Sequence, residues 1–252
     1  MARVVKQVLL GSVFIAASAS MLHAQEASSA VRYRECMAAT DHDAEKAFDD
    51  AIEWRDLGGG AAAEHCAAAA LLALGYYRDA AERLEELAQR PTDEAGLRTE
   101  LLRQAAQGWS LAGKPERAYA ALTAAIQIDD KNPKLYLERA VVQADMGLYD
   151  KAVDDLSHCL TLDPISADAY AFRASAYRYL DQLDLAAADL DHALRLAPDH
   201  LEARLERGIV LRLKGDNAGA RLDWSLILDL SPGSPTAESA RRNLELMDIN
   251  AE

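Results

Sequence analysis

The chain has 252 residues, of which 50% are hydrophobic and 27% are charged, and its formal net charge is -14. A protein this acidic repels nucleic acid and anionic membrane surfaces, so neither is expected as a partner. The length fits one continuous domain better than two.

The first 24 residues have the pattern of a secretory signal peptide, with basic residues, an apolar run at 8–17 and small residues up to Ala24. We expect cleavage after Ala24; cleavage after Ala19 and retention as an uncleaved anchor are the alternatives. The run is shorter than the roughly 20 residues of a membrane span, and no cysteine lies near either site for lipid attachment. The expected product is exported, periplasmic or secreted, with no stable membrane insertion once residues 1–24 are removed.

Residues 25–60 predict an N-terminal helical extension. Asp41 is a candidate N-cap for a helix that ends near Leu57, just before three consecutive glycines. Cys36 precedes this helix and Cys66 follows the glycines. In an oxidising compartment the two cysteines would form a disulfide across the weakest end of the fold. The alternative is that both are small packing residues of adjacent helices.

From residue 61 onward the chain repeats itself at a period of 34. The three clearest copies are 133–166, 167–200 and 201–234. Their shared columns are Ala140, Ala174 and Gly208; Ala152, Ala186 and Ala220; Leu156, Leu190 and Trp224; and Pro164, Pro198 and Pro232. Small residues let two helices approach closely, a bulky residue fills the seam between them, and a proline ends the second helix. The pattern predicts a stack of helix-turn-helix units.

Two weaker copies precede these three, at 61–94 and 99–132, with a loop at 91–94. The turn between the two helices of each copy has glycine, except that Asp181 takes its place in the fourth. Aspartate tolerates positive φ better than most residues, so we expect that turn to form as well. A final helix over 235–247 is expected to be the solubilising cap that such stacks require.

These columns resemble the tetratricopeptide repeat, and with the signal segment the chain looks like a secreted bacterial type. The resemblance covers 61–247. It implies an all-α fold, namely a right-handed α-solenoid of about five helix-turn-helix repeats with N-terminal helices and a C-terminal capping helix. It also implies a concave face lined by the first helix of each repeat. Such arrays bind other proteins through a shaped surface.

Arginine recurs at one column of the first helices and aspartate at one column of the second. The pairs are Arg139 with Asp155, Arg173 with Asp189, and Arg207 with Asp223, whereas repeat 99–132 has alanine at both places. Because the two residue types are absent together, a ladder of ion pairs between helices explains them better than an anion-binding stripe. Cys159 is expected to be buried and unpaired, and the column of His158 and His192 is expected to face solvent.

No constellation in the sequence predicts catalysis. There is no nucleophile elbow, phosphate loop, HExxH or CxxC motif, and the histidines do not converge. The run Asp41-His42-Asp43 is better explained as a helix start than as a metal site. We expect no enzyme activity, no cofactor and no bound metal.

The resemblance places a partner-binding groove on the first helices. The groove residues are Arg103, Gln107, Leu137, Val141, Ala171, Ser175, Arg178, Leu205, Ile209 and Arg212. The lysines and asparagines of repeats that clamp a C-terminal carboxylate are missing, so an extended or helical segment with apolar anchors fits better. We expect the four larger aliphatic residues of this set to be exposed without a ligand; the alternative is ordinary helix surface.

The resulting hypothesis is a periplasmic or envelope adaptor or scaffold that binds a protein or peptide in the concave groove. The alternative is a self-associating structural module, a homo-oligomer without a peptide ligand.

Overall fold

A computed structural model describes residues 28–90 and 95–249, which form helices joined by short turns. No strand occurs within these two ranges, and the all-α class is confirmed. The expected signal peptide, 1–24, and the expected loop, 91–94, lie outside the described residues.

The chain divides into two compact units, with the boundary between Ala112 and Gly113. Repeats of this kind are held together by contacts between sequence neighbours, so compactness need not extend over a whole chain. We refer to the residues up to Ala112 as unit 1 and to those from Gly113 as unit 2.

Unit 1 contains five helices within its described residues. They are α1 (28–39), α2 (Ala44–Trp54), α3 (Gly60–Ala73), α4 (Tyr77–Ala88) and α5 (Ala95–Leu111). Each of α2, α3 and α4 packs against the next helix along the chain.

The second helix of unit 1 begins and ends differently from the sequence expectation. Its N-cap is Asp43, whose carboxylate accepts from the backbone N–H of Lys46, and not Asp41. The α-helix ends at Trp54 and continues as a π-helical turn, Arg55–Gly59, in which Gly58 has φ 93°. Leu57, near which the helix was expected to end, lies within this turn and is exposed.

A disulfide joins Cys36 in α1 to Cys66 in α3, with the two Cα atoms 6.1 Å apart. Beside it, His65 is buried and bonds to two helices at once. Its Nε2 lies 2.9 Å from Oε1 of Gln104 in α5, and its Nδ1 lies 2.8 Å from the hydroxyl of Tyr33 in α1. Burial lowers the pKa of His65, so the neutral ring is the form this network holds.

Unit 2 is a consecutive stack of eight helices within its described residues. They are α6 (Pro115–Ile128), α7 (Pro133–Asp145), α8 (Tyr149–Leu162), α9 (Ala167–Tyr179), α10 (Leu183–Leu196), α11 (Leu201–Leu213), α12 (Asn217–Leu230) and α13 (Pro235–Ile249). Every helix packs against the next, and α9 also contacts α7 and α11. The first helices α7, α9 and α11 therefore lie side by side, as the resemblance to the tetratricopeptide repeat implied.

The turns between paired helices require a left-handed residue, and the sequence supplies one each time. Gly147 has φ 73° after α7, and Gly215 has φ 88° after α11. Asp181 has φ 59° after α9, so the expectation that aspartate serves in this turn is confirmed. Side-chain caps start the first helices: Asn132, Ser166 and His200 each accept from a backbone N–H in the first turn.

Candidate partner-binding face

The arginine column of the first helices is occupied by internal ion pairs. In each of three repeats an arginine binds both oxygens of the aspartate 16 positions later; for Arg173 and Asp189 the distances are 2.7 and 2.9 Å. The equivalent pairs are Arg139 with Asp155 and Arg207 with Asp223. The three aspartates are buried, and the hydrogen bond to Asp189 raises the pKa of Arg173. The geometry is that of the expected ladder, so these arginines are not a free anion-binding stripe.

The third guanidinium nitrogen of each arginine donates a hydrogen bond to the preceding repeat. The sequence did not predict this bond. Nη1 of Arg173 donates to the hydroxyl of Ser157, and Nη1 of Arg207 donates to the carboxylate of Asp191, both at 3.0 Å. Nη1 of Arg139 donates to Thr123 in the same way. The acceptor stands 16 positions before each arginine, so a repeated column of short polar residues was the available signal.

The outward-facing histidine column also has partners that the sequence did not reveal. The ring of His158 lies 4.3 Å from that of Tyr136, and the ring of His192 lies 4.2 Å from that of Tyr170. His158 is exposed as expected, whereas His192 is half-buried. The rings of Tyr136 and Tyr170 in turn lie 5.8 and 5.6 Å from the guanidinium groups of Arg139 and Arg173, so the histidines pack beside the arginine ladder.

The aliphatic residues of the expected groove are less accessible than anticipated. Leu137, Val141, Leu205 and Ile209 are all half-buried, not exposed. Leu205 and Ile209 pack against the cluster that joins α12 to the capping helix α13, and Leu137 packs against the core between α7 and α8. The cause is that neighbouring helices cover these side chains, which a pattern read within one repeat cannot show.

The remaining groove residues of unit 2 are divided between core and surface. Ala171 is buried, and Ser175 and Arg212 are half-buried. Arg178 is engaged: its guanidinium bonds to Glu206 of α11 at 2.5 Å and lies 4.2 Å from the ring centre of Tyr179. This arginine therefore joins two first helices and does not offer a free positive charge.

The two groove residues in unit 1 lie on α5. Gln107 is exposed, and Arg103 forms an ion pair with Glu100 at 2.6 Å. Glu100 also accepts from Gln104, the partner of His65, so Arg103 belongs to the polar network described above.

The apolar side chains that do reach solvent on the first helices were absent from the expected set. Phe172 is 44% exposed and Tyr179 is 56% exposed, and the two lie seven residues apart, on the same side of α9. Leu213, 51% exposed, takes the place on α11 that Tyr179 takes on α9. We call the surface formed by Phe172, Arg178, Tyr179, Glu206 and Leu213 the first-helix face. An aromatic pair at i and i+7 outside the packing columns was the signal that could have found it.

The surroundings of the first-helix face are acidic. Asp168 and Glu202 begin the first turns of α9 and α11 with their side chains exposed, and Asp145 is exposed at the end of α7. Since the arginine at its centre is neutralised by Glu206, the face combines exposed apolar groups with negative charge. Chemically it can hold a segment that has apolar anchors and positively charged flanks.

Comparisons with known proteins find the same repeat and the same fold. A model of the tetratricopeptide repeat family matches residues 133–166 and 167–200. No curated relative matches the chain. Among solved structures, MamA residues 41 to the end from Desulfovibrio magneticus RS-1 is similar, with TM-score 0.59 and 18% identity over 73% of this chain and 97% of that one. YrrB, described as a TPR protein with an unusual peptide-binding site, has TM-score 0.55 and 16% identity over 77% and 97%. Likeness at this identity concerns the fold.

Proposed function

Because this chain is a tetratricopeptide-repeat protein, we propose that it binds a protein or peptide partner through the first-helix face of unit 2. The observation that carries the proposal is the exposed pair Phe172 and Tyr179 on α9, continued by Leu213 on α11. Aromatic side chains that anchor in a partner are frequent centres of binding energy. Here they stand on rigid helices, so the free protein already presents them in a binding geometry.

The partner segment has apolar anchors and a positively charged flank. Apolar side chains would contact Phe172 and Leu213, and basic groups would face the exposed carboxylates of Asp168 and Glu202. No helix within 28–90 and 95–249 has both the length and the apolarity to span a bilayer. The proposed function, which rests on the exposed side chains of the first-helix face, is that of an adaptor that recognises a protein or peptide.

The test is selection of peptides from a displayed random library on the purified protein, followed by affinity measurement. The variant pair Phe172→Glu with Leu213→Glu should weaken selected peptides by about tenfold or more, because charged carboxylates replace the apolar side chains that contact the anchors of the peptide. The matched control is Leu185→Glu with Leu222→Glu, which changes two comparably exposed leucines of the second helices. Equal weakening by both pairs, with unchanged melting of all proteins, contradicts the proposal.

We also propose that the protein is exported and works in the cell envelope. Support comes from the signal pattern of residues 1–24 and from the Cys36–Cys66 disulfide, a bond that persists in oxidising compartments. Intact mass of protein recovered from an envelope fraction tests it. A chain that starts at Gln25 is expected, whereas a full-length chain in the cytoplasmic fraction contradicts the proposal.

A further inference from the structure

Unit 1 has a cleft of about 1040 Å³ that lies apart from its groove residues Arg103 and Gln107. Its walls come from α2, from the π-helical turn that follows, from α3 and from α4. Its apolar lining consists of Phe48, Leu71, Leu74 and Tyr76, of which Tyr76 is the most exposed. An exposed tyrosine and a half-buried phenylalanine give this cleft a surface on which an aliphatic stem can pack.

The cleft has more negative than positive groups. Six carboxylates and three arginines line it. Half of these carboxylates already have partners: Glu64 and Glu86 bond to Arg90, and Glu82 bonds to Arg78. Of the three lining arginines, only Arg90 takes part in these pairs, since Arg78 does not line the cleft.

The other carboxylates are those of Glu45 and Asp49 in α2 and Asp79 in α4. None of the three forms an ion pair with another residue that the structure describes. Of the two remaining arginines, Arg55 bonds to Asp56 and Arg83 lies over the ring of Phe48 at 6.0 Å. An excess of negative charge thus remains within the cleft.

Helix stability accounts for part of this arrangement. Glu45 and Asp79 lie in the first turns of α2 and α4, where negative charge interacts favourably with the helix dipole. The dipole does not account for Asp49, which is past the first turn, or for the exposed ring of Tyr76 beside these carboxylates.

We propose that this cleft binds a basic peptide segment of a partner protein. Lysine and arginine have apolar stems and cationic heads, so one such residue can pack its stem on Phe48 or Tyr76 and place its head at the carboxylates. Two or three such heads would compensate Glu45, Asp49 and Asp79. The site is independent of the first-helix face, which belongs to unit 2.

The probe is a short synthetic peptide that alternates lysine with serine, so that it lacks the apolar anchors that the first-helix face would bind; it is labelled for fluorescence anisotropy and titrated with the whole protein. The cleft variant is Glu45→Gln with Asp79→Asn. The control is Glu116→Gln with Asp150→Asn. It also removes one glutamate and one aspartate charge, but from exposed sites in the first turns of α6 and α8. We expect saturable binding that the cleft variant weakens about tenfold and the control changes by less than about twofold.

A second variant separates binding from helix stability. Asp49→Asn leaves both first turns unchanged and should also weaken the peptide by a few fold. A photo-reactive group on the peptide should cross-link to α2 or α4, and the Phe172→Glu and Leu213→Glu pair should leave this binding unchanged. Equal weakening by the cleft and control variants, absence of saturable binding, or equal affinity for an analogue with glutamine in place of lysine would each overturn the proposal.

Discussion

Gly208 on α11 lies against the Trp224 indole on α12, so closely that a Cβ on Gly208 would stand 2.7 Å from Trp224 Cδ1. The indole N–H donates to the carbonyl of Leu205 at 3.2 Å, which fixes the ring in this position. In the preceding repeat the same columns hold Ala174 and Leu190, which share one core cluster. The last repeat thus has a larger ring and a smaller neighbour at the same seam.

Gly208→Ala should destabilise the protein by about 1–3 kcal/mol, because the added methyl overpacks the seam. Trp224→Leu should also destabilise it, because a cavity remains and the indole bond is lost. Together the two changes recreate the pair of the preceding repeat, so the double variant should lose much less than the sum of the single losses. Urea titration of the four proteins measures this coupling. Additive losses of unfolding free energy would show that the size of residue 208 and the size of residue 224 do not depend on each other.

Arg173→Ala should leave the buried Asp189 carboxylate without its partner and cost about 1–3 kcal/mol. Asp189→Ala should have a similar effect, and the double variant should lose less than the sum. Arg242→Ala, at an exposed site of α13, is the control and should change stability little. Denaturant titration decides; a purely additive result would mean that the ion pair is not what holds the two helices.

Reduction of the Cys36–Cys66 disulfide should destabilise unit 1 by roughly 3–4 kcal/mol on the chain-entropy model, given a sequence separation of 30. Non-reducing peptide mapping should show this linkage alone, since Cys159 is buried in α8 and burial raises the pKa of its thiol. Thermal melting with and without reductant measures the effect, and Cys159→Ala is the control that should keep it. Three thiols that react in denaturant without reductant would contradict the pairing.

The stability of unit 1 should rise with pH across the window just below about 6.5, the usual histidine pKa. Burial lowers the pKa of His65 in the folded protein, so in that window the unfolded chain binds more protons than the folded one. Below this window the contribution of the neutral His65 ring to the stability of unit 1 is lost. Urea titrations from about pH 5 to 8 test this, and His65→Gln should flatten the profile. His42→Gln, at an exposed site of the same unit, should not.

The repeats and their internal ion pairs could be predicted because both are periodic in the sequence. The absence of arginine and aspartate from the same repeat was enough to pair Arg173 with Asp189 from residue types alone. The left-handed turn at Asp181 followed in the same way, from its place in a glycine column.

The binding face could not be predicted as well, because exposure depends on contacts beyond the repeat. Leu205 and Ile209 look like groove residues within their own helix, but α13 and α12 cover them. Arg178 looks like a free charge until Glu206, 28 positions later, is brought beside it. Phe172 and Tyr179 lie outside every packing column, and only the three-dimensional arrangement shows that nothing covers them fully.

The hydrogen bond from each arginine Nη1 to the preceding repeat ties each repeat to its place in the chain. Because Arg207 takes its third acceptor from Asp191 of the repeat before it, the partner of each arginine depends on which copy precedes it. If 167–200 and 201–234 were exchanged, the repeat of Arg207 would follow that of Ser157, so Arg207 would meet a neutral hydroxyl and Asp191 would no longer face Arg207. The repeats are therefore not interchangeable, because the short polar residue 16 positions before each arginine differs from one repeat to the next.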